Sequence, residues 1–161
     1  MDFEERIFDL IAFGTKPLSK LDKLKGKTDE ETLYNIALLA KEKFADSSLT
    51  LANLKVPEAL PEDIKKPLEE VKTDLSIGFK ALEESMNYFA QYIVNRNPIF
   101  YDMYIEQRDR GFLYIDGGLT SLTTVRLRLD SPEVPPPNAW KVGKRNFYEL
   151  EKAVLIKSVV K

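Results

Sequence analysis

The 161-residue sequence contains neither cysteine nor histidine. Disulfides, iron–sulfur clusters, thiol nucleophiles and zinc sites of the Cys/His kind are thereby excluded. A Ser or Thr nucleophile would have to borrow Lys, Asp or Glu as its base, because no imidazole exists to serve. The di-iron sites of helical bundles draw Glu-x-x-His from two helices and are not available here either. Glycine is scarce, at 7 residues, and none of it builds a phosphate-cradling or dinucleotide-binding loop. Nor does any loop carry the Gly and final Glu of a calcium-binding hand. No apolar run approaches the ~18 residues of a membrane span. The chain opens Met1-Asp2-Phe3-Glu4-Glu5, acidic where a signal peptide is basic. The expected setting is cytoplasmic as written, or extracytoplasmic if the chain has been trimmed of a leader.

Apolar residues make up 43% and charged residues 31%, a composition that buries a core. The net charge of −2 gives no global field for nucleic acid, and none is expected as a partner. The charge is nonetheless segregated. Residues 16–27 hold five Lys against one Asp, and residues 138–161 hold six Lys or Arg against two Glu. Both basic segments flank an acidic middle, a pattern that solvated faces produce within one fold. The Lys-rich run, with Leu18, Leu21 and Leu24 among its lysines, would also suit a phosphate backbone or an anionic membrane surface, but a basic loop explains it more simply.

Hydrophobic spacing predicts helices almost throughout. Phe3, Ile7, Leu10 and Ile11 share a face over 2–13, with Asp2, Glu4 and Glu5 at the favoured N-terminal end. Gly14 and Pro17 stop this helix, and Leu18, Leu21 and Leu24 mark a second short helix or an irregular connector. Thr28 and Glu31 have capping-box spacing, followed by a stripe of Leu33, Ile36, Ala37, Ala40, Phe44, Ser47, Leu51 and Leu54. A helix over about 29–54 follows. Ile64, Leu68, Val71, Leu75, Phe79, Leu82, Met86, Phe89 and Ile93 recur at close to the α-helical period. They predict a long helix over 62–95, with Pro67 either kinking its first turns or starting it.

Asn97 before Pro98 is an N-cap followed by proline at the first helical position. Tyr101, Ile105, Arg108, Phe112, Ile115, Leu119, Leu122, Val125 and Leu129 continue as a stripe over 98–130. A rival reading makes a hairpin of 112–129, with Asp116-Gly117-Gly118 as the turn and Val125–Leu129 alternating like a strand. The stripe keeps its phase across the glycines, which favours the helix. Two helices of matched length joined by so short a turn pack antiparallel. By its periodicity the hairpin at 62–130 resembles the helical hairpins of small bacterial surface lipoproteins, a likeness without a motif that assigns no residue a role.

The sequence thus predicts an all-α fold: an elongated antiparallel three- or four-helix bundle built on a long helical hairpin. Residues 1–130 form the bundle and 131–137 a stiff Pro-rich linker of polyproline II character. Residues 138–161 pack on the bundle or reach a partner. There Phe147, Leu150 and Val154, extended to Ser158, make a short amphipathic helix, although Val154-Leu155-Ile156 also reads as a strand.

The carboxylates Glu69, Glu70, Asp74, Glu83, Glu84, Glu106 and Asp109 lie off the apolar stripes and are expected to face water. Ser19 with Lys23 and Tyr148 with Lys152 are spaced as nucleophile–base or dehydrogenase-like pairs, but no cofactor loop accompanies them. No catalytic, cofactor-binding or metal-binding residue is therefore expected. The unusual feature is aromatic: Tyr88, Phe89, Tyr92, Phe100, Tyr101 and Tyr104 bracket the Asn95–Pro98 turn. Tyr88, Tyr92, Arg96, Phe100, Tyr104 and Trp140 are the candidate interaction residues. The expected function is a non-enzymatic protein-interaction or scaffold domain, with a protein partner or self-association. The alternative is a small-ligand-binding or sensory bundle, such as the soluble part of a bacterial surface protein.

Overall fold

Asp29 accepts a hydrogen bond from the Thr32 backbone N–H at 2.7 Å, and this cap opens one of five long helices. The computed structural model describes residues 2–24, 28–129 and 138–159, the last five as backbone only. Along it run α1 (Asp2–Thr15), a 3-10 turn (Lys16–Ser19), α2 (Lys20–Leu24), α3 (Glu30–Asn53), α4 (Glu62–Asn95), α5 (Pro98–Arg128) and α6 (Asn138–Val159). The fold is all-α, with no strand among the described residues. The predicted linker at 131–137 lies outside them.

Two local expectations change. Asp29, one residue after Thr28, is the N-cap of α3, because a carboxylate there meets both the free N–H groups and the positive end of the helix. Pro67 does not start α4 but lies inside it, the helix beginning at Glu62. The Leu18–Leu24 segment divides into the 3-10 turn, with Pro17 in its first turn, and the short α2.

Every member of the predicted α4 stripe is buried, as is every member of the α3 stripe. Each fully buried Leu, Ile or Phe contributes about 1.5–3 kcal/mol, so these stripes dominate the core. Between α3 and α4, Ser48 and Ser76 exchange hydrogen bonds: each hydroxyl donates to the other residue's carbonyl, at 2.9 and 3.0 Å. The helices are thereby fixed in register as well as packed.

The segment is helical from 112 to Arg128, with Leu129 as the C-cap, so the hairpin reading does not hold. The glycines of α5 explain why. A Cβ on Gly111 would meet Leu82 Cδ2 at 2.4 Å, and one on Gly118 would meet Leu75 Cδ2 at 2.8 Å. The residues let α5 approach α4 closely, and the packing gained offsets their helix cost of about 1 kcal/mol each. Aromatic pairs continue the antiparallel register towards the turn, with Phe89 against Tyr104 at 5.1 Å and Tyr92 against Tyr101 at 5.2 Å.

The described part of the C-terminal segment packs on the bundle. Phe147, Leu150 and Val154 are fully buried, and α6 runs on to Val159, which rules out a strand at Val154–Ile156. Phe147 stacks on Phe44 of α3 at 6.0 Å, while Phe112 of α5 makes T-shaped contacts with both Trp140 and Phe147. At Gly143 α6 comes so near the end of α1 that a Cβ would sit 2.7 Å from Thr15 Cγ2. Among the described residues no helix is long and apolar enough to cross a membrane.

Candidate functional site

Two places combine apolar surface with charge: the hairpin end of the bundle, and a cleft between α1, α5 and α6.

At the hairpin end, Arg96 closes α4 in the left-handed conformation, with φ of 59°. A residue with a Cβ pays for this conformation, and glycine or asparagine is the usual occupant. The Arg96 side chain is placed where it forms an ion pair with Glu30 at the start of α3 and lies over the Tyr92 ring at 5.2 Å. Tyr92 packs on Tyr101, Tyr101 on Tyr104 at 5.6 Å, and Tyr104 on Phe89. The ring ladder therefore runs from the turn into the core.

Its inner end is polar. The Tyr104 hydroxyl donates to Glu151 Oε2 at 2.8 Å, and Arg108 donates to Glu151 Oε1 at 2.6 Å. The Arg108 guanidinium also lies over the rings of Phe112 and Tyr148. Burial opposes charge on Arg108, yet its hydrogen bonds to Glu151 and Asp109 outweigh this and hold its pKa above the ordinary value. Burial first, then the Glu151 charge, raises Tyr104 well above the usual tyrosine range. The same causes push Tyr101 up to about 12. Tyr104 and Arg108 thus tie α5 to α6. The group is satisfied within the fold and presents no free nucleophile or base.

Of the six candidate interaction residues, the structure gathers Tyr88, Tyr92, Arg96 and Phe100 near the turn, all half-buried. Two are corrected. Tyr104 has no exposed surface, being enclosed by Phe89 and Tyr101 and bonded to Glu151. Trp140 is only 4% exposed, and its indole N–H donates to Asp116 Oδ1 at 2.7 Å. Both polar tips meet a carboxylate on another helix, so these rings serve the interior. The exposed apolar residues at this end are instead Leu38, Val94, at 70%, and Ile99, at 54%. Val94 joins Tyr34, Leu38 and Ala90 in a shallow groove of about 190 Å³ between α3 and α4, edged by Asn87, Gln91 and Asn95.

The second place is a cleft of about 440 Å³. Phe8 of α1, Leu119 and Leu122 of α5 and Trp140 of α6 form its apolar walls. Thr123, Arg126, Asn138, Lys141 and Lys144 supply its polar edge. Arg126 is paired with Glu4 at 3.0 Å, and Lys144 with Asp116 at 3.1 Å. Neither sequence spacing nor periodicity points to this cleft, whose walls come from three distant segments. The only local signal is the Lys-rich start of α6 beside the chain's single tryptophan.

The predicted carboxylates stay apart: among the described residues no group of three or more Asp or Glu is placed to hold a metal ion. Lys152 pairs with Glu149, and Tyr148 lies against Arg108, so the two share no constellation. No protein-family model, curated protein or solved structure matches the chain.

Proposed function

We propose that this protein is a non-enzymatic interaction domain that engages a protein partner, or a second copy of itself, through the hairpin end of the bundle. The observation behind this reading is the set of exposed apolar residues there, Leu38, Val94 and Ile99, beside half-buried Tyr34, Tyr88 and Phe100. Aromatic anchors with an apolar centre and an Asn/Gln rim have the composition of binding hot spots. The ladder behind them, locked by Arg96 and Glu30, holds the surface rigid, which lowers the entropy cost of binding.

The test compares intact protein with Leu38→Asp/Val94→Asp and with Leu127→Asp, whose exposed side chain belongs to α5. Partner capture from the native source and sedimentation velocity are the readouts. The expected outcome is loss of a specific partner, or of self-association, in the double variant alone. Equal retention by all three proteins would sink the reading.

A second reading, a ligand-binding bundle, draws on the α1–α5–α6 cleft. Its volume lies in the range of small-molecule sites, and its apolar walls with a few convergent polar groups are typical of them. A ligand bound only by the folded state would raise the melting temperature.

A further inference from the structure

The cleft between α1, α5 and α6 has a directional chemistry. Its interior is hydrocarbon and aromatic: Phe8, Leu119, Leu122 and Trp140. Its edge is cationic. Arg126 and Lys144 already have carboxylate partners in Glu4 and Asp116. Lys141 is exposed at the edge and makes no ion pair or hydrogen bond among the described residues. Asn138, also at the edge, is the first residue of the 22-residue α6, so the positive end of that helix has the same sign as Lys141. An occupant meeting both halves would bury an apolar body against Trp140 and leave an anionic head beside Lys141.

From this we infer that the cleft binds an anionic amphiphile of medium chain length, a fatty-acid-like carboxylate. The inference rests on the ligand-binding reading above and adds the ligand's class. No carboxylate is among the described residues lining the cleft; the nearest, Asp116 and Glu4, are engaged by Trp140 and Lys144 and by Arg126, so they do not oppose the head group in full. A cationic head would face Lys141, with Lys144 and Arg126 already balanced by Asp116 and Glu4, and be repelled.

The protein carries its own reporter, since Trp140 is the only tryptophan and forms a wall of the cleft. Tryptophan fluorescence of the full chain is titrated with dodecanoate and dodecyltrimethylammonium, each below its micellar concentration, and with dodecanol below its solubility limit. Dodecanoate should give a saturable change and bind at least about tenfold more tightly than the cation. Lys141→Gln should weaken dodecanoate about three- to tenfold, an effect that shrinks as salt is raised, and leave dodecanol unchanged. Thr123→Phe, at an exposed helical position lining the cleft, should fill it and abolish binding while circular dichroism stays helical. Equal binding of all three probes, or no effect of Lys141→Gln, would overturn the anionic assignment yet leave an apolar ligand site standing. No saturable signal from any probe would remove the ligand-binding reading as well.

Discussion

A Cβ placed on Gly111 would lie 3.0 Å from the carbonyl oxygen of Gly78, so the backbones of α5 and α4 touch at these two glycines. The contact is reciprocal, since a Cβ on Gly78 would meet the Gly111 carbonyl at 3.2 Å and Ile115 Cγ1 at 2.6 Å. Gly111→Ala and Gly78→Ala should each destabilise the protein by about 1–3 kcal/mol, because overpacking outweighs the better helix propensity of alanine. Gly117 has nothing within 4 Å of its Cβ position. Gly117→Ala should therefore stabilise by up to about 1 kcal/mol. Urea unfolding of the three variants checks the contrast, and three shifts of one sign would refute the close approach.

Glu4 and Arg126 form an ion pair at 3.0 Å that joins α1 to α5, with 1% and 6% of each residue exposed. Removing one partner strands the other charge in the interior. Glu4→Ala should cost about 3–5 kcal/mol. Replacing both with apolar residues, Glu4→Leu with Arg126→Met, should recover most of that loss, since two desolvation penalties vanish together. A double variant as unstable as Glu4→Ala would show that Arg126 stabilises the fold by other contacts.

The two helices of the hairpin differ in how openly the sequence declares their packing. On α4 the large apolar side chains from Ile64 to Ile93 are buried and periodicity finds them, while the small buried residues Gly78, Ala81, Ser85 and Ala90 escape it. On α5 the buried line runs through Tyr104, Gly111, Ile115, Gly118, Leu122 and Val125. Glycine contributes close approach but no apolar side chain. Hydrophobic spacing therefore finds the buried Ile115, Leu122 and Val125 but otherwise follows the flanking Tyr101, Ile105, Arg108, Phe112 and Leu119, where Arg108 and Phe112 meet α6. The roles of Tyr104 and Trp140 were illegible for a different reason. Their carboxylate partners stand 47 and 24 residues away, outside any local pattern. The cleft escapes for the same reason, and the groove at the hairpin end needs α3 beside α4 before Leu38 and Val94 come together.

Tyr101 and Tyr104 make stability fall in alkali. Burial and then the Glu151 charge raise both, Tyr101 to about 12 and Tyr104 well above the usual 10. Above about pH 10 the unfolded chain releases these protons while the folded protein keeps them. The stabilising contribution is complete below that pH and is lost as pH climbs through the folded-state values. Tyr101→Phe with Tyr104→Phe should flatten this part of the decline. Urea midpoints at neutral pH and at about pH 11 measure it, with phenolate absorbance following ionisation. An unchanged alkaline slope in the double variant would contradict the assignment.

Asn146 of α6 has no exposed surface, and neither its amide nitrogen nor its amide oxygen has a hydrogen-bond partner among the described residues. It stands next to Phe147 in a helix whose other buried side chains here, Leu150 and Val154, are apolar. Enclosing unpaired polar groups costs about 1–3 kcal/mol, and a hydrocarbon side chain of similar volume removes that cost. Asn146→Leu should therefore raise the melting temperature, with the helical circular dichroism unchanged. Asn146→Ala separates the two contributions: it also removes the unpaired amide but leaves a cavity, so its stability should fall below that of the leucine variant. A melting temperature for Asn146→Leu below that of the parent protein would show that the amide finds a partner in solution and holds α6 in place.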